Sequence, residues 1–259
     1  MSERALRVLL VEDNAVNREV ALGILENLGY IADVACDGLS AISRLRRNAY
    51  AAVLADCNLP EMDGYELTRL IRLGEPHAWD PRVPVIAMTA HALAGDREKC
   101  IAAGMDDYVS KPIDPKALES VLDRWTGVEV SEVSGDTATG PAVVREIKAF
   151  DQDELIERVM GNEEIARRVA SRFVADIPAQ LVALSAAIAG CDGERAHAIA
   201  HSIKGAAANV SAAQMSRITS DLEHAARAGD MNMAREAWSK LSDEFDQASA
   251  ALNRFAGSE

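Results

Sequence analysis

Along the first half of the chain, short apolar runs alternate with longer segments of helical period, the pattern of a parallel sheet wrapped by helices. Five strands are predicted, near Arg7–Val11, Ile31–Ala35, Ala51–Ala55, Val83–Met88 and Asp107–Val109. The third and fourth are continuously apolar, as strands covered on both faces are. Helices fill the intervals: Asp13 or Asn14 caps the first, Gly29 ends it, Asp63-Gly64 opens the third, Gly104 closes the fourth and Asp114-Pro115 starts the fifth. After Phe150 the strand signals vanish, and Gly161-Asn162, Gly190 to Gly193, Gly205, Val210-Ser211 and Gly229-Asp230 are candidate helix breaks or weak points. The pattern predicts an α/β doubly wound five-stranded parallel sheet over residues 1–125 and an all-α antiparallel helical bundle over 150–259. Between them, 126–149 is small, polar and aperiodic, which reads as a flexible linker.

Composition narrows the picture. The 259 residues suit two domains, each long enough to bury a core, and aromatics at only 4% favour helices over a β-sandwich. With 41 acidic against 27 basic residues the net charge is −14, and both domains share the deficit, so nucleic-acid or anionic-membrane binding driven by Lys and Arg is not expected. Cys36, Cys57, Cys100 and Cys191 show no C-x-x-C spacing, which fits a reducing cytoplasm. The apolar run Val8–Val11 is too short for a signal peptide, and no stretch is expected to span a membrane. The short lead from Met1 suits a free start.

In open parallel sheets, function sits outside the carboxyl ends of the strands. There the sequence places Glu12-Asp13, Asp56, Thr89 and Ser110-Lys111-Pro112. Three carboxylates in one crevice repel unless a cation joins them, and an oxygen-lined cleft of this kind suits Mg²⁺. Lys111 supplies a second positive charge and Thr89 a hydroxyl for a phosphoryl oxygen. Together these groups make a phosphoryl-transfer site built from positioning and charge neutralisation. Singly, each has a plain structural explanation as a cap, loop, strand end or turn; at successive strand ends in this order, coincidence is a poor one.

Leu9-Leu10-Val11-Glu12-Asp13-Asn14, Asp56-Cys57-Asn58-Leu59-Pro60-Glu61-Met62-Asp63-Gly64, Met88-Thr89-Ala90 and Gly104 through Pro112 carry a resemblance to response-regulator receiver domains, especially those attached to hybrid sensor kinases. The resemblance implies that Asp56 is the phosphoacceptor, that Asp13, Asp56 and the Asn58 carbonyl hold Mg²⁺ with Glu12 completing the acidic pocket, and that Thr89 and Tyr108 form a switch pair. It also implies that Asn58 and His91 flank the phosphoryl position, and that Lys111-Pro112 corresponds to a junction often cis in the family. Ala55 stands where such receivers often carry a larger apolar residue.

In the bundle, the segment from Ala196 to Val210 projects as a helix with Ala196, Ile199, Ile203, Ala207 and Val210 on the core face. His197, His201, Lys204, Gly205 and Ala208 fall opposite, so His201 is predicted exposed. Gly205, one turn later, leaves room for a partner to approach the imidazole, and Lys204 adds a cation beside it. A plain surface histidine, a metal pair with His197 and a general base remain as alternatives; the metal pair lacks a third ligand nearby, and no pocket surrounds a base. Ala200 through Val210, with Phe150-Asp151, Phe173 through Pro178 and Leu222 through Arg227, resembles a histidine-containing phosphotransfer (HPt) domain. That resemblance implies that His201 accepts and donates a phosphoryl group, with no role for His197 or His224.

An acyl phosphate and an exposed imidazole are complementary halves of one exchange. The combination implies a cytoplasmic phosphorelay protein without its own ATP-dependent kinase domain, taking phosphate from a hybrid histidine kinase onto Asp56 and relaying it through His201 to a downstream receiver or response regulator. Two other readings stay open: a sink draining phosphate from His201 to Asp56, and a nonenzymatic interaction module gated at Asp56. A flexible linker of this length spans about 25–30 Å, so contact between the two sites within one chain is allowed. The sequence does not fix the oligomeric state.

Overall fold

The computed structural model describes residues 6–74, 78–89, 94–127 and 149–257. Its first part alternates β1 (Arg7–Val11), α1 (Ala15–Asn27), β2 (Ile31–Ala35), α2 (Gly38–Leu45), β3 (Ala52–Asp56), α3 (Gly64–Leu73), β4 (Val85–Thr89), α4 (Ala94–Ala103), β5 (Asp107–Ser110) and α5 (Pro115–Thr126). The five strands are parallel in the order β2-β1-β3-β4-β5. The order reverses direction between β1 and β3, so a crevice opens at the carboxyl ends of those two strands.

Alternation along the strands sorts the core into two layers. Val8, Leu10, Leu54, Ile86 and Met88 pack on the face covered by α1 and α5, while Leu9, Val11, Val53, Val85 and Ala87 pack on the other, toward α2, α3 and α4. The side chains of Asn14, Asp37, Asp63 and Asp114 cap α1, α2, α3 and α5, each accepting from backbone N–H groups that a helix start leaves unpaired. Three strands differ from their predicted limits. β5 runs one residue further, to Ser110. β3 includes Asp56, and β4 begins after Pro84, which lacks the N–H a central strand needs.

The second part is helical throughout: α6 (Gln152–Arg158), α7 (Glu163–Ala189), α8 (Gly193–Asn209), α9 (Ala213–Arg227) and α10 (Met231–Ala256). The breaks fall at the anticipated positions except Gly205, which lies inside α8. α7 also runs through Pro178. Against the sequence expectation, α7 is long and apolar enough to cross a membrane by length and composition. That apolarity includes the alanines of its second half, while Val169, Phe173, Ile177, Leu184 and Ile188 face the bundle core.

Most of the anticipated linker falls outside the described residues; Thr126 closes α5. The domains are not separate spheres. One continuous buried cluster runs from β1 and α1 through Ile165, Val169 and Phe173 of α7 into the bundle.

Candidate phosphoryl-transfer site

β1 delivers Glu12 and Asp13 to the crevice, and β3 ends on Asp56. Suitably oriented oxygens of these three carboxylates lie within 4.8 Å of one another. Glu12 and Asp56 are almost fully buried, while Asp13 is exposed. Lys111, following β5 at a cis Lys111-Pro112 bond, puts Nζ 2.6 Å from both Glu12 Oε2 and Asp56 Oδ2.

One ammonium does not balance three carboxylates. Burial, reinforced by Asp56 and only partly offset by Lys111, pushes Glu12 up to about 7. Burial and Asp56 also raise Asp13. Burial works to lower Lys111, but Glu12 and Asp56 overcome it and hold the ammonium charged. Hard oxygen donors with surplus negative charge fit a small divalent cation such as Mg²⁺.

The remaining receiver-side residues surround this crevice. Asn58 donates its backbone N–H to Asp56 Oδ1 at 3.0 Å. Thr89 is the last residue of β4 and is buried. Tyr108 on β5 pairs with Ala87, two residues before Thr89, so alternation puts Thr89 and Tyr108 on one face of the sheet. His91 lies outside the described residues. Cys57, next to Asp56, is buried, and burial pushes its thiol up to about 12. Gly64 makes the β3–α3 connection possible: a Cβ there would sit 2.2 Å from the Asp56 carbonyl oxygen.

His201 meets this crevice. Its Nε2 is 3.2 Å from the Asn58 side-chain nitrogen, and its Nδ1 is 2.7 Å from Glu223 Oε1. The other Glu223 oxygen pairs with Lys204 Nζ. Burial works to raise Glu223, but hydrogen bonds from His201 and Lys204 overcome it and hold the carboxyl at about 2. A carboxylate can only accept, so Nδ1 carries the ring proton and Nε2 presents its lone pair to the Asn58 amide.

The predicted exposure of His201 therefore needs correction. Its side chain is 27% accessible, because Glu223 covers one edge and the α/β domain faces the other. Gly205 lies at that close approach: a Cβ there would sit 3.5 Å from Asn17 Nδ2, an ordinary contact that alanine can make. His197 Nδ1 lies 3.3 Å from the Glu223 carbonyl, and exposed His224 bonds within its own helix to Ser220.

Three contributors escaped the sequence reading. Glu223 orients His201 from a different helix. Asn17 donates to Glu12 Oε1 at 3.1 Å while its own carbonyl accepts from Asn209 of α8 at 2.8 Å, linking the acidic crevice to the histidine helix. Ser202 accepts from Asn14 Nδ2 at 2.8 Å. Glu223 was visible only as part of a flanking helix, and the two asparagine contacts had no local signal.

The chain matches the response regulator receiver domain family over residues 8–123 and the Hpt domain family over 168–251. It carries a receiver domain followed by an Hpt domain. The receiver is similar to the receiver domain of sensor histidine kinase PA1611 from Pseudomonas aeruginosa PAO1, solved with a magnesium ion coordinated in its active-site cleft. Identity is 46% over 48% of this chain and 100% of that one, with a TM-score of 0.44. Receiver and Hpt regions together resemble sensor histidine kinase GacS of Pseudomonas protegens, 31% identical over 80% of this chain and 23% of that protein. The kinase BarA of Shigella flexneri is 27% identical over 99% of this chain and 28% of its own length. The chain thus spans less than a third of the length of these two curated relatives. A receiver followed by an Hpt domain is the composition of a two-component phosphorelay protein.

Proposed function

We propose that Asp56 accepts a phosphoryl group from a histidine kinase and passes it to His201, which delivers it to a downstream receiver. The observation that carries this reading is the position of His201 Nε2, 3.2 Å from the side chain of Asn58, two residues beyond Asp56. Withdrawal of the Asn58 amide frees the Nε2 lone pair to attack phosphorus. The new bond is Nε2–P, the bond broken is P–O to Asp56, and Asp56 leaves as a carboxylate beside Lys111. The ring retains its Nδ1 proton and becomes cationic, with Glu223 stabilising that charge.

Asp13, Asp56 and the Asn58 carbonyl, with Glu12 behind them, are the groups that would hold Mg²⁺, which supplies charge neutralisation for the phosphoryl oxygens. Thr89 donates to one of those oxygens and Tyr108 repacks as it does so. Lys204 keeps Glu223 ionised and Gly205 admits the receiver. The donor is a hybrid histidine kinase and the acceptor a response regulator, and four free thiols fit a cytoplasmic setting. The pairing of both modules in one chain favours relay over a sink or a gate without chemistry.

The test is intact-mass and acid/base-stability analysis after incubation with a small acyl phosphate and Mg²⁺. Wild type is expected to gain phosphohistidine, Asp56→Asn to gain no label, and His201→Gln to retain only the base-labile aspartyl phosphate. Phosphohistidine in Asp56→Asn, or its absence in wild type, overturns the reading.

A further inference from the structure

The receiver and Hpt domain meet along one face of α1. At about 100° per residue, Val16, Glu19, Gly23, Glu26 and Asn27 form a single stripe, and that stripe faces the amino-terminal half of α7. Gly23 is its centre. A Cβ built on Gly23 would lie 2.3 Å from Ile165 Cγ2 and 3.5 Å from Ile165 Cβ. Ile165 is buried, and its β-branched side chain has little rotamer freedom on a helix, so its methyl cannot swing clear. Polar contacts frame the socket: Arg168 binds Glu19 at 2.7 Å and lies 3.6 Å from Glu26, while Asn27 donates to the Val159 carbonyl at 2.9 Å and accepts from Asn162 at 3.2 Å.

None of these residues belongs to the phosphoryl-transfer machinery. Gly23 interrupts a helix interior, where glycine is a poor choice. Its reason lies in the other domain. Asn14–Ser202 and Asn17–Asn209 continue the same contact to the crevice, so seating Ile165 sets where His201 stands relative to Asp56.

We propose that Gly23 and Ile165 form a size-matched socket and knob that seats this Hpt domain on its own receiver and confines Asp56–His201 transfer to that pair. The bundle face that carries His201 is then covered, so a downstream receiver gains His201 only after the knob leaves the socket. The consequence for transfer rests on the phosphotransfer reading; the docking contact itself does not.

The exposed thiols Cys36 and Cys191, one in each domain, allow docking to be read separately from chemistry by a donor–acceptor fluorophore pair in the full chain. In Gly23→Leu the transfer efficiency between the dyes is expected to drop, Asp56 labelling by a small acyl phosphate to stay at the wild-type rate, and His201 labelling to slow by about tenfold or more. Adding Ile165→Ala should restore docking and recover His201 labelling. Unchanged dye separation in Gly23→Leu, or no recovery in the double variant, overturns the socket. Dye separation that responds while wild-type His201 never labels upholds the socket and overturns the phosphotransfer reading instead. Energy transfer that appears only between chains, on mixing singly labelled molecules, overturns docking within one chain.

Discussion

Because the Glu223 carboxylate can only accept, it fixes the His201 proton on Nδ1 and leaves Nε2 as the nucleophile. Glu223→Gln keeps an acceptor but removes the charge that stabilises the imidazolium, so His201 labelling is expected to slow by about tenfold, measured by quench-flow, with Asp56 labelling unchanged. The substitution also has a pH signature. The Glu223 carboxyl is depressed from 4.5 to about 2 on folding, so its contribution to stability is complete above 4.5 and is lost as pH falls toward 2. The stability gap between wild type and Glu223→Gln in urea unfolding should therefore be widest near neutrality and shrink on acidification. Asp56, Lys111, Thr89 and Asp13 were legible because each lies at or just beyond a strand end, where position along the chain predicts position in space. Glu223 was not, since it reaches His201 only through the packing of α9 against α8.

At the scale of elements, the site depends on how tightly β3 turns into α3. Gly64 opens α3 against the backbone of the residue that carries the acceptor carboxylate, with room for a hydrogen only. Gly64→Ala is expected to destabilise the receiver by about 1–3 kcal/mol and to slow Asp56 labelling, measured by urea unfolding and by mass. Alanine at Gly205, with ordinary contact distance to Asn17, serves as the control that leaves stability unchanged or improved. Caps and strands were legible because they are local: Asp63, Asp114 and Asn14 each bond N–H groups two or three residues away. Gly205 misled as a helix break for the complementary reason, since what it serves is a residue from the other domain.

For the whole molecule, the two-domain composition was legible from periodicity, whereas the seating of one domain on the other was not: Gly23 and Ile165 have no relation in sequence. The forces at that seam are mainly apolar contact and amide hydrogen bonds, with the Arg168 pairs only at a partly exposed rim. Such ion pairs contribute about 0–1 kcal/mol and are screened by salt. Dye separation between Cys36 and Cys191 is accordingly expected to change little when salt is raised to about 0.5 M, where the Debye length is only a few ångströms. Separation of the domains by salt alone would assign the seam to electrostatics.

The burial of Cys57 gives the phosphoacceptor a chemically quiet neighbour. Burial pushes its thiol up to about 12, which keeps it in the unreactive protonated form at neutral pH. Peroxide and alkylating reagents attack thiolates, so oxidative signals that modify surface thiols pass this position by. The phosphoacceptor's neighbour is thereby set apart from the thiol chemistry open to exposed Cys36 and Cys191.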